Sequence, residues 1–213
     1  MNYDAIIIGA GMAGLYQLHR LRQLGMSVKV FETGSGVGGT WYWNRYPGCK
    51  FDSESYSYGY SFSPEILAEW EWSEHFARQP ETERYLNFVA DKLDLHRDIE
   101  FNSRITSASY DAERNHWQVQ VEGGLLVRAR YLITAVGPLS APTLPNYPGM
   151  DTFQGGSWHT AHWPKESPDF AGKRVAVIGT GATGVQLIQE MAYMAEHLTI
   201  FQRNPNWCAP LNN

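Results

Sequence analysis

The apolar and polar positions near the start of the chain follow a strand, turn, helix and strand order. Residues 5–8 (AIII) form a β-branched run that leads into a glycine turn. Leucines spaced three apart over 15–24 then predict a helix, which Gly25 ends. The stretch SVKVFE at 27–32 has the alternation of a second strand. These residues therefore predict a β-α-β unit.

The same order of elements returns near the other end of the chain. RVAVIG at 174–179 predicts a strand, TGATG at 180–184 a turn, VQLIQEMAYMA at 185–195 a helix and LTIFQR at 198–203 a strand. The glycines of the two turns are related by a constant shift of 170 residues, from 9 to 179 and from 14 to 184. The sequence thus contains one supersecondary unit twice.

The residues between the two units have weaker patterns. Residues 34–62 are rich in glycine, serine and aromatics without a clear period, which predicts an ordered loop, while 80–95 predicts an amphipathic helix. Three alternating runs predict an antiparallel meander whose last strand joins the main sheet: ITSASYD at 105–111, HWQVQVE at 116–122 and LLVRARYLITAVG at 125–137. The proline-rich stretch 138–149 is predicted to be a linker.

Composition excludes several classes of protein. The 213 residues have a formal net charge of −5 and no basic run, so we expect neither a nucleic acid partner nor an anionic membrane partner. Cys49 and Cys208 are far apart, which argues against a disulfide framework, a zinc site and a dithiol centre. The apolar run near the start is too short to span a bilayer, and we expect a cytoplasmic protein.

Each glycine turn has the G-x-G-x-x-G spacing of a dinucleotide-binding fingerprint, placed after a strand and before a helix. In such a turn the first glycine makes the bend, the second lets backbone approach a pyrophosphate and the third lets the helix pack on its strand. The helix N-terminus then faces the anion. Glycine turns without a ligand are the alternative interpretation.

The residue that closes each second strand differs in charge between the two units. Glu32 suits the ribose hydroxyls of FAD or NAD and repels a 2′-phosphate. The equivalent residue in the second unit is the neutral Gln202, and Arg203 beside it can neutralise the 2′-phosphate of NADP. Arg203 as an ordinary solvated charge is the alternative. The pair of sites predicts a flavoprotein that holds FAD and is reduced by NADPH.

Two further motifs resemble a known family. GGTWYWNRYPGCKFD at 38–52 and FQGGSWHTAHWP at 153–164 match the patterns of type I Baeyer–Villiger monooxygenases, and the resemblance covers essentially the whole chain. Trp163 and Pro164 favour this family over the related heteroatom monooxygenases. The resemblance implies insertion of one oxygen of O₂ beside a ketone carbonyl through a C4a-peroxyflavin, with a small ketone as substrate. A heteroatom monooxygenase and a non-catalytic nucleotide-binding protein remain alternatives.

The resemblance also implies an α/β fold and three regions. A Rossmann-like FAD-binding domain, a parallel sheet with the antiparallel meander, is expected over 1–137. A linker that carries the 153–164 motif is expected over 138–172. The first β-α-β of a Rossmann NADP-binding domain is expected over 173–213. We expect the C-terminal half of the enzyme to be missing and the chain alone to be inactive.

The candidate site residues follow from the fingerprints and from the resemblance. Asp52 and His159 are the candidate catalytic residues. Asp52 would orient an arginine expected beyond residue 213, and His159 would brace the two domains rather than donate a proton. The residues predicted around FAD and the nicotinamide are Gly9, Gly11, Gly14, Glu32, Thr40, Trp41, Tyr42, Trp43, Lys50, Asp52, Tyr58 and Ile105. The residues predicted to bind NADPH are Gly179, Thr180, Gly181, Ala182, Thr183, Gly184, Val185, Gln186, Arg203 and Asn204. His159 and His162 have no third ligand nearby in sequence, so no metal is expected.

Overall fold

A computed structural model of the protein describes residues 2–209 and 213. The chain divides into two compact units. The first contains the residues up to Tyr42 together with Glu83–Ala141. The second contains Trp43–Thr82 together with the residues from Pro142 onward. The sequence predicts a FAD-binding domain over 1–137, a linker over 138–172 and the start of an NADP-binding domain over 173–213. This assignment of cofactors to regions stays a prediction.

The first unit is built on a six-stranded mixed sheet. Its strands, in chain order, are β1 (Asn2–Ile8), β2 (Val28–Phe31), β3 (Ile99–Glu100), β4 (Ile105–Asp111), β5 (His116–Val121) and β6 (Leu126–Thr134). Their order across the sheet is β3-β2-β1-β6-β5-β4. The helix α1 (Met12–Gln23) connects β1 to β2, which lie side by side in parallel. The predicted α/β class is confirmed.

Strand β1 lies at the centre of this sheet. It pairs in parallel with β2 on one side and with β6 on the other. Ile6 and Ile7 point to opposite faces of the strand, and both are fully buried. Because a parallel strand is buried on both faces, it needs apolar residues at consecutive positions, and the run AIII therefore predicts a strand.

The predicted meander is present, with its last strand in the main sheet. Strand β6 pairs antiparallel with β5, where Val119 lies opposite Val127, and parallel with β1, where Ile6 lies opposite Leu132. Side chains from β1, β2 and the meander form one buried cluster that contains Ile6, Phe31, Val119, Val121, Val127 and Ala129. The meander is therefore part of the core of the first unit.

The prediction of a loop over 34–62 was incomplete, because the segment contains two short helices, α2 (Thr40–Trp43) and α3 (Ser55–Tyr58). The Trp41 amide donates to the Gly38 carbonyl, and the Tyr58 amide donates to the Glu54 carbonyl. A single helical turn is too short to produce a 3.6-residue period. Such helices are not visible in the pattern of apolar positions.

Two longer helices follow. Helix α4 (Pro64–Glu69) begins after Ser63, whose hydroxyl accepts a hydrogen bond from the Ile66 amide at 3.3 Å. Helix α5 (Gln79–Lys92) ends earlier than the predicted residue 95. The chain turns at Asp94, whose φ is +49°, and the Leu95 amide donates back to the Ala90 carbonyl.

The second β-α-β unit has the predicted elements β7 (Arg174–Ile178), α6 (Ala182–Met194) and β8 (His197–Phe201). Strands β7 and β8 pair in parallel. The predicted linker 138–149 contains neither helix nor strand, and its residues are mostly exposed. Among the helices in the described part of the chain, none has the length and apolar character needed to cross a membrane.

Candidate nucleotide-binding sites

The first glycine turn joins the end of β1 to the start of α1. Gly9 has a φ of +102°, which L side chains rarely adopt, and its amide donates to the Phe31 carbonyl at 2.9 Å. A Cβ atom at Gly14 would overlap the Gly9 carbonyl oxygen. Gly11 directly precedes α1 and provides no side chain to cap it. The start of α1 is therefore held close to the end of β1, and the N-terminal end of a helix is the end that attracts an anion.

Glu32 lies at the carboxyl end of β2 and is buried, with 6% of its surface exposed. One carboxylate oxygen accepts the Ala10 amide and the other accepts the Gly34 amide, each at 2.7 Å. The side chain thus fixes the glycine turn to the loop that follows β2. Each carboxylate oxygen can accept a second hydrogen bond, so a ribose hydroxyl can still bind there.

A second glycine-rich segment, GSGVGG at 34–39, packs against the first fingerprint. A Cβ atom at Gly39 would lie 2.9 Å from the Cα atom of Gly11. The Tyr42 ring lies against Gly34, and its hydroxyl accepts the Ser35 amide at 3.1 Å. These contacts hold the start of α2, and with it Thr40, Trp41 and Tyr42, beside the first turn.

Sequence reasoning used residues 38–39 only as part of a motif and missed the role of 34–36. The four closely spaced glycines of 34–39 were the available signal. Ile105, in β4, packs against the buried cluster of the first unit. Its predicted contact with a cofactor stays a prediction.

The second glycine turn, in the other unit, repeats the local geometry of the first. Gly179 has a φ of +103°, and its amide donates to the Phe201 carbonyl at 2.9 Å. A Cβ atom at Gly184 would lie 2.5 Å from the Gly179 carbonyl oxygen. Unlike Gly11 before α1, Gly181 before α6 has no atom of the described residues within 4 Å of an added Cβ atom, apart from its chain neighbours and the backbone of its own helix. The second turn therefore leaves open space above the N-terminus of its helix, beside Ala182, Thr183 and Val185.

The residue that follows β8 is Gln202, a neutral side chain at the position where the first unit has Glu32. The Gln202 amide donates to the Thr180 hydroxyl at 2.9 Å, and this hydroxyl donates to the Asn204 carbonyl at 3.3 Å. Gln202 thus ties the strand end to the glycine turn, as Glu32 does in the first unit, but without a negative charge. The side chain of the next residue, Arg203, is exposed.

Four of the residues predicted on the flavin side belong to the second unit: Trp43, Lys50, Asp52 and Tyr58. The Tyr58 ring stacks on Phe51, with centroids 4.4 Å apart and an angle of 13° between the rings. The side chain of Asp52 is exposed, and Trp43 is 46% exposed. Within the unit, Gln186 on α6 hydrogen-bonds to the segment that contains Lys50.

That segment also contains two buried groups that ionise only at high pH. Burial raises the pKa of the Cys49 thiol to about 11. Burial likewise raises the pKa of the neighbouring Tyr46 hydroxyl above its usual value. Both groups are therefore neutral at physiological pH, and neither is an activated nucleophile.

The motif at 153–164 forms a local aromatic cluster. Trp158, Trp163 and Phe170 have ring centroids 5.8–6.3 Å apart. The Nδ1 atom of His159 accepts the Ala161 amide at 3.3 Å, which caps the 3₁₀ turn Thr160–His162. The role predicted for His159, to brace the two domains, stays a prediction. Within residues 2–209 and 213 there is no group of three metal-ligating side chains.

Known proteins are similar to this chain over nearly all of its length. It is 52% identical over 210 residues to the acetone monooxygenase (methyl acetate-forming) of Gordonia sp. (strain TY-5), with 99% of this chain and 39% of that protein covered. It is 46% identical over 213 residues to a Baeyer–Villiger monooxygenase of Pseudooceanicola batsensis, with 100% and 39% covered. It is 48% identical over 210 residues to the phenazine N-monooxygenase PhzNO1 of Lysobacter antibioticus, with 98% and 39% covered. The chain spans about two fifths of the length of these relatives.

The fold also matches solved structures. A crystal structure of OTEMO in complex with FAD and NADP superposes with a TM-score of 0.93 at 52% identity, covering 98% of this chain and 40% of that one. Residues 6–212 match the family described as pyridine nucleotide-disulphide oxidoreductase. The sequence resemblance to Baeyer–Villiger monooxygenases is therefore confirmed, and the chain belongs to the pyridine nucleotide-disulphide oxidoreductase family.

Proposed function

We propose that this protein provides the FAD and NADPH sites of a Baeyer–Villiger monooxygenase, which inserts one oxygen atom of O₂ beside the carbonyl of a small ketone. The observation that carries the proposal is the pair of glycine turns. They have the same backbone geometry but opposite chemistry at the strand end, where Glu32 in one corresponds to Gln202 and Arg203 in the other. Two different dinucleotides are the simplest ligands for such a pair.

The residues of the first turn fit FAD. Gly11 and Gly14 leave room for a pyrophosphate and for close helix packing, and Glu32 has acceptor capacity for a ribose hydroxyl. Thr40, Trp41 and Tyr42 lie next to this turn and would cover the cofactor. When bound, FAD supplies hydride acceptance and O₂ activation.

The residues of the second turn fit NADPH. The open space above Gly181 admits a pyrophosphate, and the exposed Arg203 can bind a 2′-phosphate with two parallel hydrogen bonds. Thr180, Thr183, Gly184, Val185 and Asn204 would surround the nucleotide. Gln202 is neutral, so no carboxylate at this position opposes the phosphate.

Asp52 and His159 have separate proposed roles. The carboxylate of Asp52 is exposed and able to orient a cationic partner near the reaction centre. His159 is engaged by a backbone amide, which suits a residue that holds the motif at 153–164 in shape. A cytoplasmic location and the absence of nucleic acid and membrane partners remain predictions.

Oxygenation of a ring nitrogen is the second candidate function. The similarity to a phenazine N-monooxygenase, 48% identical, is nearly as high as that to the acetone monooxygenase. The two cofactor sites are needed for either reaction. The substrate therefore has to be identified from the product, which differs between a carbonyl compound and a ring nitrogen.

Product analysis tests the proposal. The protein purified from its native source is incubated with NADPH, O₂ and either a cyclic ketone or a phenazine. A lactone with one NADPH consumed per product supports the ketone reaction. An N-oxide without lactone supports the second candidate. Bound FAD with no NADPH-driven O₂ uptake would mean a non-catalytic nucleotide-binding protein and would overturn the proposal.

A further inference from the structure

The carboxamide of Gln186 binds the backbone and a side chain of a segment distant in sequence. Its Nε2 atom donates to the Lys50 carbonyl at 2.8 Å, and its Oε1 atom accepts the Tyr46 hydroxyl at 2.8 Å. The Lys50 amide approaches the same oxygen at 3.4 Å. Both ends of the carboxamide are therefore satisfied by residues 46–50.

The same segment is in close backbone contact with α6. A Cβ atom at Gly48 would lie 2.6 Å from the Gln186 carbonyl oxygen and 2.9 Å from the Cγ atom of Glu190. Arg78 pairs with Lys50 in an antiparallel bridge, and its guanidinium lies 3.2 Å from the Glu190 carboxylate. Residues 46–50 are thus fixed on one side by the helix and on the other by Arg78.

The position of Gln186 gives this contact a functional meaning. Gln186 follows Gly184, the last glycine of the second fingerprint, by two residues. Lys50 precedes Asp52, the candidate catalytic carboxylate, by two residues. One side chain therefore connects the turn proposed to bind NADPH to the segment proposed to act beside the flavin.

We propose that Gln186 is a positioning residue, which holds segment 46–52 against α6 and transmits occupancy of the 179–184 turn to it. The nucleotide named here rests on the proposed function. A carboxamide is suited to this position because its NH₂ group donates to the Lys50 carbonyl while its oxygen accepts from the Tyr46 hydroxyl. Methionine has similar length but makes neither bond.

Cys49 provides a reporter inside the segment. Cys49 is 6% exposed and lies between Tyr46 and Lys50, the two residues that the Gln186 side chain binds. A disulfide reagent such as Ellman's reagent reacts with it only when the segment leaves the helix. Cys208 is exposed and is replaced by serine in every variant, so labelling measures Cys49 alone.

The experiment compares Gln186→Met with Gln189→Met, a matched change at an exposed position of the same helix. Labelling is timed with and without saturating NADP⁺, while NADP⁺ binding is measured separately by isothermal titration calorimetry. We expect Gln186→Met to accelerate Cys49 labelling by roughly tenfold, since two hydrogen bonds are lost, and Gln189→Met by less than about twofold. NADP⁺ slows labelling in the parent protein and in Gln189→Met, but not in Gln186→Met.

Equal labelling rates for the two methionine variants would overturn the positioning role, and so would protection by NADP⁺ that persists in Gln186→Met. Should Gln186→Met fail to fold by circular dichroism, Tyr46→Phe replaces it, because it removes one of the same bonds without changing α6. Labelling of Tyr46→Phe at the parent rate would also contradict the proposal. A protein that does not bind NADP⁺ refutes the proposed cofactor and the coupling, while the comparison without nucleotide still decides whether Gln186 holds the segment.

Discussion

The substitution Glu32→Gln removes the negative charge of this side chain and nearly preserves its shape. It therefore tests what the charge contributes to the stability of the fold. The carboxylate is buried and accepts two backbone amides, from Ala10 and Gly34, at 2.7 Å each. Glutamine keeps one acceptor but turns an NH₂ group towards the other amide. One charge-assisted hydrogen bond is lost, and two donors face each other in a buried place.

The size of the effect follows from these contacts. A hydrogen bond to a charged group contributes about 1.5–3 kcal/mol, and a buried donor left unsatisfied costs about 1–3 kcal/mol. We expect Glu32→Gln to lower the free energy of unfolding by about 3 kcal/mol. For a chain of this size, such a loss lowers Tm by roughly 6–12 °C.

Urea unfolding followed by tryptophan fluorescence measures this change, and Glu100→Gln is the control. Glu100 forms an ion pair with Lys29 at 3.1 Å, but its side chain is 54% exposed. A surface pair of this kind contributes about 0–1 kcal/mol. Equal destabilisation by the two substitutions would refute the assignment of two buried backbone bonds to Glu32.

Three further predictions concern the second unit. Gly184→Ala places a methyl group against the Gly179 carbonyl and displaces the start of α6. Equilibrium dialysis should therefore show NADP⁺ binding weakened by at least about tenfold and FAD binding unchanged. Loss of binding of both cofactors would contradict two separate sites. Arg203→Ala should reduce the preference for NADP⁺ over NAD⁺ by roughly tenfold in competition binding, and an unchanged preference would exclude Arg203 from the phosphate site. Burial raises the pKa of the Cys49 thiol from 9.0 to about 11, so between these pH values the thiol ionises in the unfolded chain before it ionises in the folded protein. The stability that the neutral thiol contributes is therefore complete below pH 9 and is lost as the pH rises to about 11. The urea midpoint should therefore fall over this range, equivalent to about 2–3 kcal/mol, and less steeply in Cys49→Ser; equal slopes would contradict the cause.

The two β-α-β units were predictable because each depends on local signals. Buried parallel strands need continuous apolar runs, and the turns need glycine at positions such as Gly9 and Gly14, where the backbone or a neighbouring carbonyl excludes a side chain. The charge difference between Glu32 and Gln202 was visible for the same reason. Each of these features is read from neighbouring residues.

The contacts of residues 34–50 were not predictable from the sequence alone. The bond between Tyr46 and Gln186 joins residues 140 positions apart, and no spacing rule relates them. Gln186 was predicted to touch the cofactor because it follows the fingerprint, whereas its carboxamide binds protein atoms. Its predicted contact with NADPH stays a prediction beside this observed one. Tertiary packing, rather than periodicity, decides such pairs.

The most direct test of the account is the stoichiometry of cofactor binding. The purified protein is dialysed against FAD and NADP⁺ together, and both are quantified in the protein fraction after denaturation. Two independent fingerprints predict one FAD and one NADP⁺ per chain, with neither displacing the other. Binding of neither cofactor, or competition of both for a single site, would contradict it.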